Sequence, residues 1–201
     1  MKRWLVTPGV GALVLLGIFA AKVDVETDQA AEPVVELADD HQFIGVARCK
    51  TCHRKDAVGN QFGIWEESRH ATAFETLGTA EAKEVAAAKG IDNPQTSGEC
   101  LQCHVTAFGV DESLLGPKYA ASDGVGCESC HGAGGDYYKK KTMAGIMRGE
   151  IDPASVGLVK PDETACVGCH NDKSPSYKPF DFEKFFKKIE HPLPDSIKAK
   201  Y

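Results

Sequence analysis

The sequence predicts a mainly α fold, a compact domain with few strands. Apolar residues recur at helical rather than alternating spacing, caps and stops flank several of the runs, and strand signals are sparse. Gln61 to Leu77 sets Phe62, Trp65, Ala73 and Leu77 along one helical face, and His70 falls on that same stripe. Thr79 to Gly90 is alanine-rich and mixed in charge, with a Thr cap and a Gly stop, and predicts a scaffold helix. Met143 and Met147 stand four residues apart on a further helix expected after His131. Asp181 to Glu190 predicts a short amphipathic helix capped by Asp181 and stopped by Pro192, preceded by a Pro/Ser loop over Asn171 to Phe180.

The chain has 201 residues, enough for one domain or two small ones. Lys2-Arg3 followed by the apolar run Trp4 to Ala21 is an export pattern. That run is near the lower limit for crossing a bilayer, so residues 1–21 are expected to be a signal peptide or an N-terminal membrane anchor. Either reading places the protein in the periplasm or elsewhere outside the cytoplasm. Residues 22–40 are acidic, contain one proline and show little apolar periodicity, which predicts a linker. The folded domain is expected over residues 41–201.

The cysteines carry the chemistry. All eight fall in four Cys-x-x-Cys pairs, each followed at once by histidine: Cys49/Cys52/His53, Cys100/Cys103/His104, Cys127/Cys130/His131 and Cys166/Cys169/His170. Two cysteines at i and i+3 lie about one helical turn apart and point the same way. They suit thioether bonds to the two vinyl groups of one porphyrin, with the next residue placed beneath the ring as proximal iron ligand. Zinc ribbons do not need a histidine after every pair. A disulfide framework does not need one repeated spacing, and a thioredoxin-like site comes singly within a βαβ pattern. The expectation is four covalently bound haem c groups in a multihaem cytochrome c domain whose core the haems form. First cysteines at 49, 100, 127 and 166 are irregularly spaced, which argues against a solenoid of equal repeats.

Chain length then bears on function. A domain of about 160 residues has a radius of gyration of roughly 15 Å, so four macrocycles within it must be neighbours. Close rings favour electron transfer among them, and a carrier is expected ahead of an enzyme. The net charge of −6 disfavours nucleic-acid binding and suggests redox protein partners with basic patches. Lys139-Lys140-Lys141 is a basic cluster in this acidic chain, read as a solvated face or as a contact for propionates or an anionic partner.

Three histidines lie outside the motifs, His41, His70 and His191, for four sixth positions. Each is a candidate ligand; Met143 and Met147 are weaker ones, more simply read as core. If all three histidines bind, one iron stays open and can take a small molecule such as nitric oxide. An enzyme or sensor acting on nitric oxide, hydroxylamine or nitrite is the alternative to the carrier. No Cys-x-x-Cys-Lys occurs, the variant found in dedicated nitrite reductases of this kind.

Across about residues 42–192 the chain resembles the tetrahaem cytochromes of the c-554 family, electron acceptors from hydroxylamine oxidoreductase. The resemblance rests on the first motif, Trp65-x-x-Ser68-x-His70-Ala71, Glu99-Cys100 through Val105 with Phe108-Gly109, and Gly124-Val125-Gly126-Cys127-Glu128-Ser129-Cys130-His131-Gly132. It implies mostly α structure, haems in stacked and perpendicular pairs, three bis-histidine irons and a five-coordinate second one, on His104. Carried over, it assigns His70 to the third haem and His191 to the first. The family has a distal histidine shortly after the third motif, where this chain has Asp136-Tyr137-Tyr138. The fourth haem then needs a ligand from elsewhere, and His41 is the candidate.

Overall fold

The computed structural model describes residues 41–200. The expected leader or anchor (1–21) and linker (22–40) lie outside the described residues. Ten short α-helices follow one another there: α1 (Val46–His53), α2 (Gln61–Glu66), α3 (Ala73–Thr76), α4 (Ala80–Ala88), α5 (Gly98–His104), α6 (Glu128–His131), α7 (Lys140–Met147), α8 (Glu163–Val167), α9 (Phe182–Phe186) and α10 (Asp195–Lys198). Among the described residues there is no strand beyond one isolated bridge, Phe43 to Leu115. The mainly α class is what the helical spacing predicted. No described helix is long and apolar enough to cross a membrane.

Local chemistry explains several helix ends. Thr79 caps α4 by accepting from Ala82 N, and Gly90, at φ +74°, turns the chain away after it. Asp162 and Asp181 cap α8 and α9 by accepting from Thr164 N and Lys184 N. α9 ends at Phe186, a turn earlier than the amphipathic pattern suggests, so His191 lies beyond the helix.

The expected helix over 61–77 is instead two helices with a turn at residues 67–72. The Ser68 hydroxyl accepts from His70 N, and the His70 carbonyl accepts from Ala73 N and, from across the fold, Val125 N. Those bonds compete with the helical ladder and win. His70 therefore sits in the break, not on a helical stripe. Gly124 is required beside it, because its φ is +70° and a Cβ there would meet the His70 carbonyl oxygen at 2.7 Å.

Helix α1 packs on α2, and α3 packs on α5 and on the turn at 121–123. The buried apolar set is small: Ile44, Val46, Phe62, Leu77, Ala86, Val105, Ala133 and Tyr137. Two buried polar side chains tie the motif-bearing segments together. Glu128 Oε1 accepts from Ile44 N (2.9 Å) and Gly134 N (2.7 Å), and Oε2 accepts from Gly45 N (2.8 Å). Thr106 Oγ1 accepts from Gly126 N (2.7 Å) and contacts Gly124 O and Ser129 Oγ. The Trp65 indole N–H donates to Val125 O at 2.8 Å.

Candidate haem-attachment sites

Each motif is wound as a helical turn. The first lies within α1 and the second within α5. The third runs from the N-cap of α6, with His131 N bonded to Cys127 O. The fourth leaves the end of α8 as a turn that His170 N closes on Cys166 O. This winding sets each pair of cysteines about one turn apart, as the spacing predicted. None of the eight cysteines forms a disulfide.

Their burial is not uniform. Cys49, Cys100, Cys103, Cys127, Cys130, Cys166 and Cys169 are half-buried, whereas Cys52 is exposed. The reason is its place on α1. Cys52 follows Arg48 by four residues, so it shares the outward face that Ala47, Arg48 and Thr51 also present to solvent. Cys49, by contrast, lies against Cys127 of the third motif. The first motif therefore has one cysteine facing inward and one at the surface.

Cysteines of different motifs are neighbours. The proximity of Cys127 raises the Cys49 pKa, with burial adding to the rise, and that of Cys49 lowers the Cys127 pKa. Burial, with Cys103 and its hydrogen bond next, pushes Cys169 up to about 12. Cys130 is raised by burial and then by the nearby Cys166 and Cys127. The first motif thus adjoins the third, the third adjoins the fourth, and the fourth adjoins the second.

The histidines are arranged as metal donors. His41 Nδ1 donates to Asp136 Oδ2 (2.6 Å), His53 Nδ1 pairs with Gln61 Oε1 (3.2 Å) and His104 Nδ1 donates to Ala73 O (2.7 Å). His131 Nδ1 donates to Val159 O (3.3 Å), and His191 Nδ1 to Ile189 O (2.8 Å). Carbonyl and carboxylate oxygens only accept, so the proton is on Nδ1 and the lone pair is left on Nε2, the usual arrangement of a metal-ligating imidazole. His170 is fixed instead by stacking on Phe180, at 4.7 Å and 16°. Burial holds His70, His131 and His170 below the ordinary histidine pKa, which keeps them in the neutral form that ligates.

Two pairs face each other. The ring centroids of His70 and His170 are 6.1 Å apart, and those of His131 and His191 are 5.8 Å apart. Two imidazoles bonded at about 2 Å to opposite sides of one metal have centroids about 6 Å apart. The donor set therefore fits haem iron, one motif histidine opposed by one free histidine. The described residues hold no cluster of three or more His, Cys, Asp or Glu of the kind a protein cage for a metal requires. The pairing differs from the assignment that the resemblance implied. His70 opposes the fourth motif because the 67–72 break, pinned to Val125, turns it there, and His191 opposes the third, not the first. His41 faces Asp136 and does not stand opposite His170.

A family model described as "Cytochrome c554 and c-prime" matches residues 48–132, the span holding the first three motifs. Cytochrome c-554 of Nitrosomonas europaea is 32% identical over 146 residues, covering 67% of this chain and 60% of that protein. The chain belongs to the cytochrome c-554 family. It spans about 60% of the length of this curated relative. No solved structure matches. As a c-type cytochrome of this family the chain binds haem c covalently, and the cysteines and paired histidines above are the residues that would hold it.

Two contributors escaped sequence reasoning. Glu128, inside the third motif, binds the backbone just before the first, and the only signal was a charged residue among the small residues of that segment. Phe180 closes the Pro/Ser loop, and stacking on His170 leaves no mark in one sequence. Met143 and Met147 lie half-buried on α7, consistent with packing.

Proposed function

We propose that this cytochrome is an extracytoplasmic tetrahaem electron carrier that relays electrons between redox protein partners. The observation that carries the proposal is that cysteines of different motifs are neighbours, Cys49 of Cys127, Cys130 of Cys166 and Cys169 of Cys103, which suits haems close enough to exchange electrons. Haem iron supplies reversible one-electron exchange between its ferric and ferrous states. Cys49/Cys52, Cys100/Cys103, Cys127/Cys130 and Cys166/Cys169 would anchor the groups, and His53, His104, His131 and His170 would be their proximal ligands. His70 and His191 would add the sixth ligand at the fourth and third motifs, where neutral nitrogen on both faces favours low potential. The exposure of Cys52 suits the first motif to electron exchange with a partner at the surface. The Nδ1 acceptors fix ring orientation, so little reorganises when charge changes. Glu128 and Thr106 hold neighbouring motifs at constant spacing. The export-like N-terminus supports the location, and a net charge of −6 favours partners with basic faces.

Haem staining and mass spectrometry of the matured protein test attachment, with four haem additions per chain expected. Rapid mixing with one-electron donors and acceptors tests relay, with reversible multi-step reduction expected. A colourless chain of bare-polypeptide mass overturns haem attachment, and sluggish exchange with every donor overturns the carrier role.

One observation favours a second activity at the second motif. No imidazole among the described residues opposes His104, and a cleft of about 380 Å³ lined by Phe74, Leu101, Val105, Phe108, Val110 and Leu115 lies beside its helix. An iron there would take a small nitrogen species such as nitric oxide. A high-spin ferric signal that shifts on adding nitric oxide supports this, and four low-spin irons overturn it.

A further inference from the structure

We propose that Phe180 is the positioning residue of the fourth motif: its ring, backed by Phe185, sets the plane of the His170 imidazole. The inference rests on the haem reading above and deepens it at one attachment turn. The other three motif histidines are steered from an edge, each through Nδ1 to an oxygen of Gln61, Ala73 or Val159. His170 is steered through its face. Its ring centroid lies 4.7 Å from that of Phe180 with the planes 16° apart, and Phe185 lies 5.4 Å from Phe180 at 13°. The three rings form one nearly parallel stack that begins at a motif histidine and ends on α9.

The sequence builds that stack from a helix start. Asp181 caps α9 by accepting from Lys184 N, which makes Phe180 the residue before the cap and Phe185 the fourth of the helix. Apolar residues at those two positions close on each other and fix the angle at which the chain enters a helix. Here the closure has a second effect. The cap sets the Phe180 backbone and Phe185 stacks on its ring, so that ring meets His170 at a fixed tilt. Rotation about the bond between Nε2 and an iron would drive an edge of the imidazole into the Phe180 ring. Flat contact therefore holds the ligand plane, as an acceptor at Nδ1 does for the other three. His170 also faces His70, with centroids 6.1 Å and planes 61° apart. The angle between two axial imidazole planes governs the g values of a low-spin ferric haem, which makes the orientation measurable. A plane that stays fixed as the iron changes charge keeps reorganisation small during electron exchange.

The test uses the matured protein with Phe180→Leu, Phe180→Tyr and Phe185→Leu, and takes low-temperature electron paramagnetic resonance and a haem-to-protein ratio on each. Phe180→Leu stays apolar but loses the flat face. It is expected to keep the parent's haem content and number of low-spin irons, and to shift the g values of one low-spin component, the one that His70→Gly removes. Phe180→Tyr retains the flat face and is expected to restore the parent spectrum. Phe185→Leu is expected to shift the same component by less. Phe185 is 40% exposed, so this variant reports even if Phe180→Leu matures poorly. Unchanged g values in Phe180→Leu or in Phe185→Leu overturn the proposal, as does an equal shift in Phe180→Tyr or a shift confined to another component. A parent protein without haem, or one in which His70→Gly removes no low-spin component, overturns instead the reading beneath it.

Discussion

The Glu128 side chain is 4% exposed, yet what it binds is three backbone N–H groups rather than a cation. Those donors belong to two segments, residues 44–45 before the first motif and Gly134 after the third. Removing the carboxylate leaves all three N–H groups buried without an acceptor, each costing roughly 1–3 kcal/mol. Glu128→Ala is therefore expected to destabilise the protein by about 3–5 kcal/mol in denaturant unfolding followed by haem absorbance. Glu128→Gln retains one good acceptor oxygen but turns an amide N–H toward a backbone N–H, and is expected to cost about 1–3 kcal/mol. Equal stability of all three proteins would remove Glu128 from its role. Thr106→Val poses the same question between the second and third motifs. It deletes the acceptor of Gly126 N while keeping shape, and an unfolding cost of about 1–3 kcal/mol is expected.

Helix α4 shows what a sequence reveals when the determinants are local. Its cap, its alanine-rich interior and its Gly stop lie within a dozen residues, and the helix forms where they predict. Thr79→Ala should cost about 1 kcal/mol by the same unfolding measurement and leave the haem spectra unchanged, because α4 carries no motif. A spectral change would mean that α4 is more than scaffold. The 61–77 segment shows the opposite case. Its periodicity is continuous, but a bond from Val125, distant in sequence, holds its break, so the orientation of His70 was not legible. The same holds for the histidine pairs, which join His70 to His170 and His131 to His191. It holds too for Cys52, whose motif is spelled like the other three and whose exposure follows from which face of α1 the rest of the fold covers. Spacing picks out the candidate ligands because that chemistry is local, and tertiary contacts decide which histidines come to face each other. Within the break, Gly124→Ala should test the device: strain at positive φ and the clash with the His70 carbonyl should displace His70. Electron paramagnetic resonance should then show one low-spin iron becoming high-spin, and an unaltered spectrum would mean that the break does not set ligation.

At the scale of the molecule, the order of the motifs in space differs from their order in sequence, and that difference makes relay testable. The fourth motif lies between the third, through Cys130 and Cys166, and the second, through Cys103 and Cys169. The first neighbours the third through Cys49 and Cys127, which sets it at an end of this series. Electron tunnelling falls steeply with distance, so deleting an inner attachment should divide the relay while deleting an end one should merely shorten it. Cys166→Ala/Cys169→Ala is expected to leave the first and third haems in fast exchange and to isolate the second, giving two well-separated phases of reduction in rapid mixing at a ferrous absorption band. Cys49→Ala/Cys52→Ala, with the same number of haems lost, is expected to keep one fast connected set. The pairing of the two variants separates topology from the simple loss of a redox centre. Identical kinetics in both would mean that the thiol contacts do not define the route, and a divided relay in the Cys49→Ala/Cys52→Ala protein alone would place the first motif, not the fourth, at the centre of it.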